Sequence, residues 1–177
     1  RLQLVRAAIK SNIIKEHAYI WDSNENLCKN ILHSIGIKNI SFFKVNLDKE
    51  ISIKTENILK KIYLKEDIIN LKLPHGIPGS FLYDSILKRQ RCATVNVSDE
   101  NLKEYIYKFL YSIKFAENLI DSCKPDIVVL SHCISFQCTP MAWIASKKNI
   151  PVIILGNEFD ILRLWKISKP NDIYSGI

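Results

Sequence analysis

The chain lacks the marks that most readily betray a nucleotide-binding protein. Neither the Rossmann fingerprint GxGxxG nor the phosphate loop GxxxxGK-S/T occurs in its 177 residues. No apolar run approaches the ~20 residues that a membrane helix needs, and Arg1 to Lys10 does not read as a signal peptide with a cleavage site. The expectation is a soluble chain. Its five cysteines, Cys28, Cys92, Cys123, Cys133 and Cys138, are an odd count without CxxC spacing, which points to reduced thiols in a cytoplasmic protein. Cys133 and Cys138 lie close in sequence, yet zinc would need further ligands at compatible spacing, so no metal is expected, and nothing calls for a cofactor. Aromatic residues do not interleave with basic ones, which argues against nucleic acid as a partner.

The net charge of +7 comes from 25 Lys and Arg against 18 Asp and Glu, spread through almost every segment. Two readings stand: a solvated surface, or a surface that attracts anionic ligands or anionic lipid headgroups. The basic residues cluster only at Lys88-Arg89-Gln90-Arg91. The length suits a single domain over residues 1–177, since a chain near ~150 residues hides roughly 70% of its unfolded surface. No repeat or linker is evident. The start at Arg1 and the unstructured look of residues 169–177 suggest a piece of a longer protein.

Apolar spacing predicts a helix over residues 2–14, a short strand over 17–21, a helix over 24–35 stopped by Gly36, and a strand over 40–45. Residues 47–73 are looser, with helix-like spacing at Ile51, Ile58, Leu59, Ile62 and Tyr63, and either state for 68–71. Pro74-His75-Gly76-Ile77-Pro78-Gly79 is the one segment dense in glycine and proline, a structured turn before a helix over 80–88. Ser98 should cap a long helix reaching Cys123, with Tyr105, Phe109, Ile113, Ala116 and Ile120 on its core face.

Pro125-Asp126-Ile127-Val128-Val129-Leu130, an apolar helix over 141–148, and Ile150-Pro151-Val152-Ile153-Ile154-Leu155-Gly156 spell a βαβ crossover, which lays two parallel strands side by side. The fold expected is α/β, a Rossmann-like parallel sheet flanked by helices in three layers. Residues 159–167 are apolar and of uncertain type. In open α/β sheets ligands gather beyond the carboxyl ends of the strands. Ser131, His132 and Cys133 stand at the first such end, and Gly156, Asn157 and Glu158 at the second.

An imidazole at His132 could act as a base near neutral pH, or simply bond a loop carbonyl. A Cys133–His132 nucleophilic pair is poor, because adjacent side chains at a strand end point to opposite faces. Gly79 ahead of a helix offers backbone N–H groups to a phosphate or carboxylate, or is a plain turn. Glu158 and Asp160 follow the second strand, with Arg163 three residues beyond Asp160; a carboxylate there could take a hydroxyl proton, or these residues only cap a surface helix. Arg89 and Arg91 could bind phosphate or an anionic sugar, or solvate a helix end.

Three segments together resemble bacterial surface and capsular polysaccharide biosynthesis proteins of the glycosyltransferase type. They are Ile77-Pro78-Gly79-Ser80-Phe81-Leu82-Tyr83-Asp84-Ser85-Ile86-Leu87-Lys88-Arg89, then Pro125 through His132, then Gly156 through Leu164. The resemblance spans roughly residues 74–164 and departs after His132, where Cys133-Ile134-Ser135-Phe136-Gln137-Cys138-Thr139-Pro140 lacks a glycine-containing turn. It implies a GT-B architecture, with this chain as the N-terminal, acceptor-side half and the nucleotide-sugar donor held mainly by a second half. It further implies metal-independent sugar transfer to a glycan or lipid-linked acceptor, at the inner face of the membrane or in the cytoplasm. His132 is then the candidate base, with His75, Gly76, Tyr83, Asp84, Arg89, Glu158 and Arg163 as substrate contacts. The alternative is a non-catalytic glycan- or partner-binding domain. A third reading has the protein transfer a phosphoryl-type or pyruvyl group to a capsule sugar.

Overall fold

A computed structural model describes residues 18–20, 24–34, 36–158 and 161–174. The helix expected over 2–14 lies outside them. Packing groups the chain into two compact units, Arg1–Asn46 and Leu47–Ile177. Among the described residues the class is mixed α/β, with six α-helices and two small sheets. None of the described helices is long and apolar enough to cross a membrane.

In the first unit, strand β1 (Ala18–Ile20) pairs in parallel with β2 (Ile40–Phe42), Ala18 opposite Ile40, and helix α1 (Glu25–Ser34) connects them. Asn24 Oδ1 caps the helix by accepting the Leu27 N–H at 3.1 Å. Gly36 ends it at φ 98, a left-handed backbone that glycine adopts without a Cβ clash.

The second unit runs through α2 (Lys49–Leu59), α3 (Lys65–Ile69), a 3₁₀ turn (Pro74–Gly76), α4 (Gly79–Gln90), α5 (Leu102–Cys123), β3 (Val128–Leu130), α6 (Cys138–Lys147), β4 (Val152–Glu158), β5 (Ile161–Ile167) and a 3₁₀ turn (Pro170–Tyr174). The predicted crossover is present: β3 and β4 pair in parallel, Val128 opposite Val152, with α6 between them in sequence. Every residue of α6 from Cys138 to Ser146 is buried, because the helix packs against α5, β3, β4 and the last 3₁₀ turn. The core face of α5 is as its spacing predicts, with Phe109, Ile113, Ala116 and Ile120 buried and Tyr105 half-buried.

Two expectations are corrected. β5 runs antiparallel to β4, Val152 opposite Ile167 and Glu158 opposite Ile161, so the sheet β3-β4-β5 is only partly parallel. Gly156, Asn157 and Glu158 are the last three residues of β4, paired with β5. Helix α5 begins at Leu102, not at Ser98: Asn96 Oδ1 accepts the Ser98 N–H at 3.0 Å and Asp99 Oδ1 the Asn101 N–H at 2.8 Å, which spends residues 96–101 on turns.

Candidate functional site

The carboxyl end of β3 is built by the first turn of α6. Thr139 Oγ1 donates to the Cys133 carbonyl at 2.8 Å and accepts the Ser135 N–H at 3.0 Å, while Ser135 Oγ accepts the Cys138 N–H at 3.0 Å. These bonds fix the 131–138 loop without a glycine. Within it Ser131 Oγ meets His132 Nδ1 at 2.8 Å, and both residues are half-buried. Behind them, burial pushes the Cys138 thiol up to about 11 and also raises that of Cys133, whose Sγ donates to the Ile173 carbonyl at 3.5 Å. Both are neutral packing groups at physiological pH, poor as nucleophiles.

Helix α4 supplies Asp84 to the neighbouring surface, and its Oδ2 accepts the Tyr174 hydroxyl at 2.6 Å. Burial first, and then the Asp84 carboxylate, hold the Tyr174 hydroxyl well above the usual tyrosine range. The Tyr174 ring stacks on Phe81 at 4.6 Å and 6°, and Phe81 meets Trp143 edge-on at 5.7 Å. Trp143 Nε1 then donates to the His75 carbonyl at 3.2 Å, which also accepts Lys147 Nζ at 2.7 Å. A continuous chain of contacts thus ties Asp84 to His75.

His75 sits at φ 60, ψ 11, and Gly76 follows at φ 74. A non-glycine residue in the left-handed region is uncommon, and histidine is among those that tolerate it. Here the two donors on its carbonyl hold the peptide in place, and the imidazole faces α5, with Nε2 3.3 Å from Glu117 Oε2. His75, Glu117, Lys114, Glu50 and Lys54 rim a cavity of about 180 Å³ floored by Ile51, Leu110 and Ile113. That is smaller than the ~300–1,000 Å³ of drug-sized ligand sites and suits one ring-sized group. On its margin Asp48 Oδ2 meets Lys114 Nζ at 2.6 Å; this bond first, and the Ile51 N–H second, hold the Asp48 carboxyl below the usual range.

The other predicted residues are spread apart. Tyr83 holds the 94–95 loop, with Oη 3.1 Å from Thr94 Oγ1 and accepting the Val95 N–H at 3.4 Å. The Arg89 guanidinium lies over the Phe136 ring at 5.8 Å. Arg91 terminates α4 in a left-handed cap at φ 54. Glu158 ends β4, and Arg163 stands opposite Gly156 in β5. Gly79 is no anion cradle: its N–H donates to the Leu71 carbonyl at 2.8 Å, and a Cβ there would fall 2.0 Å from the Ile68 carbonyl oxygen. Sequence reasoning missed Glu117, Lys114, Trp143 and Tyr174. Glu117 lies on the predicted long helix, but only the fold brings it to His75.

Among the described residues no group of three or more His, Cys, Asp or Glu is placed to hold a metal ion. The chain matches no known protein family, no curated protein and no solved structure.

Proposed function

We propose that this chain is the acceptor-side half of a GT-B-type glycosyltransferase of surface or capsular polysaccharide biosynthesis, with β3–α6–β4 as the central crossover of a three-layer Rossmann-like sheet. The carrying observation is the 2.8 Å contact of Ser131 Oγ with His132 Nδ1 at the carboxyl end of β3. For His132 to act as a base through Nε2, Nδ1 must carry the ring proton and donate it to Ser131 Oγ, a role the hydroxyl can accept while it orients the imidazole. The acceptor hydroxyl then gives its proton to Nε2 as its oxygen bonds the sugar carbon and the nucleotide diphosphate leaves with the broken C–O pair. A positioned base of this kind is worth about 10²- to 10⁴-fold. His75, Gly76 and Asp84 join the acceptor side through the Trp143–Phe81–Tyr174 chain; Tyr83 and Arg89 shape the loops around it. This reading also takes Glu158, at the end of β4, and Arg163, in β5, as substrate contacts. The nucleotide-sugar donor belongs mainly to a second half, and the acceptor is a glycan or lipid-linked saccharide.

The test is sugar transfer by the full-length protein from a panel of nucleotide sugars, beside His132→Ala and Ser131→Ala. Transfer lost in the first and reduced in the second, with circular dichroism unchanged, is the expected result. Full activity in His132→Ala removes the base. The antiparallel β5 favours a second reading, because a doubly wound sheet continues in parallel: a non-catalytic glycan- or partner-binding domain. Glycan binding without transfer from any donor would select it.

A further inference from the structure

Tyr63 and Leu64 are 77% and 63% exposed, two large adjacent side chains in water. Single exposed apolar residues are ordinary on protein surfaces. These two differ in that their backbone is fixed. Asp67 Oδ2 accepts the N–H of Tyr63 at 2.9 Å and that of Leu64 at 2.8 Å, and those two bonds hold the Asp67 carboxyl below its usual range. On the other side the Lys61 N–H donates to the Ile58 carbonyl at 2.9 Å and the Ile62 N–H to the Leu59 carbonyl at 3.1 Å. The tip between α2 and α3 is therefore preorganised to project an aromatic and an aliphatic group. Its flanks are Lys60, Lys61 and Lys65, all exposed; the nearest carboxylate to Lys65 is Glu66, at 3.9 Å.

An amphipathic ring and an aliphatic chain beside ammonium groups are the composition of an interfacial anchor. The apolar pair enters the boundary between headgroups and acyl chains, and each lysine near the surface adds attraction to anionic lipid. We propose that the Lys60–Lys65 tip docks the protein on an anionic bilayer surface without spanning it. The basic flanks select this occupant, since exposed Lys60, Lys61 and Lys65 beside the apolar pair match an anionic surface and not a purely apolar groove. The proposal is independent of sugar transfer and survives its failure.

The experiment is sedimentation of the full chain with vesicles of phosphatidylglycerol and phosphatidylethanolamine, and with vesicles of phosphatidylcholine alone. Wild type should sediment with the anionic vesicles and release as salt is raised. Tyr63→Ser with Leu64→Ser should weaken partitioning about tenfold or more, and Lys60→Gln, Lys61→Gln and Lys65→Gln together should abolish the preference for anionic lipid. A gain-of-signal variant guards against misfolding: Tyr63→Trp should show added fluorescence quenching by brominated anionic lipid relative to wild type. No vesicle binding, equal binding to both vesicle types, or binding unchanged in both variant sets would overturn it.

Discussion

The Tyr174 hydroxyl donates to Asp84 Oδ2 at 2.6 Å while its ring lies flat on Phe81, one helical turn before Asp84 in α4. One aromatic side chain thus fastens the last described turn to α4 by both its face and its edge. It does so next to the carboxyl end of β3, where Cys133 Sγ bonds the carbonyl of the preceding residue, Ile173. The packing around Cys133, the residue after His132, is consequently joined to α4 through the Ile173–Tyr174 turn.

Removing only the hydroxyl separates these two contributions. Tyr174→Phe keeps the stacking and should cost about 1 kcal/mol in urea denaturation, as for a single hydrogen bond, and Tyr174→Ala should cost more. Because the folded-state pKa is raised, stability from this group is fully present below the unfolded value near 10 and declines as pH rises beyond it. Ultraviolet titration should show a tyrosine ionising later than the others and absent in Tyr174→Phe. Loss of no late-titrating phenol in that variant would contradict the assignment.

Gly79 gives a sharper steric case. With the Ile68 carbonyl oxygen 2.0 Å from the position of an added Cβ, and Leu71 backbone nitrogen at 2.9 Å, Gly79→Ala must push α3 away from α4. We expect a loss of about 3 kcal/mol or more, at the upper end of overpacking effects, read from denaturant midpoints. A neutral substitution would mean that α3 does not pack there.

The elements with local signatures were legible. The β-branched runs around Val128 and Val152, with an apolar helix between, announced the parallel crossover, and the spacing of Phe109, Ile113, Ala116 and Ile120 announced the buried face of α5. β5 was not legible, because Phe159-Asp160 carries none of the Asn-Gly or Asp-Gly chemistry that marks a short hairpin. Ser98 looked like a cap because side chains of Asn96 and Asp99 compete for backbone N–H groups in a way spacing does not reveal. Of the candidate site, His132 was placed at a strand end from sequence. Its surroundings, Tyr174 against Asp84 and Glu117 against His75, join residues far apart in the chain and have no local mark.

The thiols offer a chemical check. Cys92 is exposed, whereas Cys133 and Cys138 are buried with raised pKa values. Brief iodoacetamide treatment of the native protein at pH 7.5, followed by peptide mass spectrometry, should label Cys92 and leave Cys133 and Cys138 unmodified until denaturant is added. Native labelling of Cys138 would contradict a buried, protonated thiol and reopen a nucleophilic role beside His132.

Asp48 links helix capping to the rim of the His75 cavity. Its Oδ1 accepts the Ile51 N–H at 3.1 Å, its Oδ2 pairs with Lys114, and its own N–H donates to the Tyr107 hydroxyl at 2.7 Å. The folded-state carboxyl is lowered below the unfolded value, 3.8. Its contribution to stability is therefore complete above that value and is lost as pH falls through the folded pKa. Asp48→Asn keeps a capping oxygen but removes the charge, so it should lower Tm at pH 7 and narrow the gap to wild type as pH approaches 2. Melting curves from pH 2 to 7 decide it: an equal gap at every pH would assign the loss to altered packing and not to the Lys114 pair.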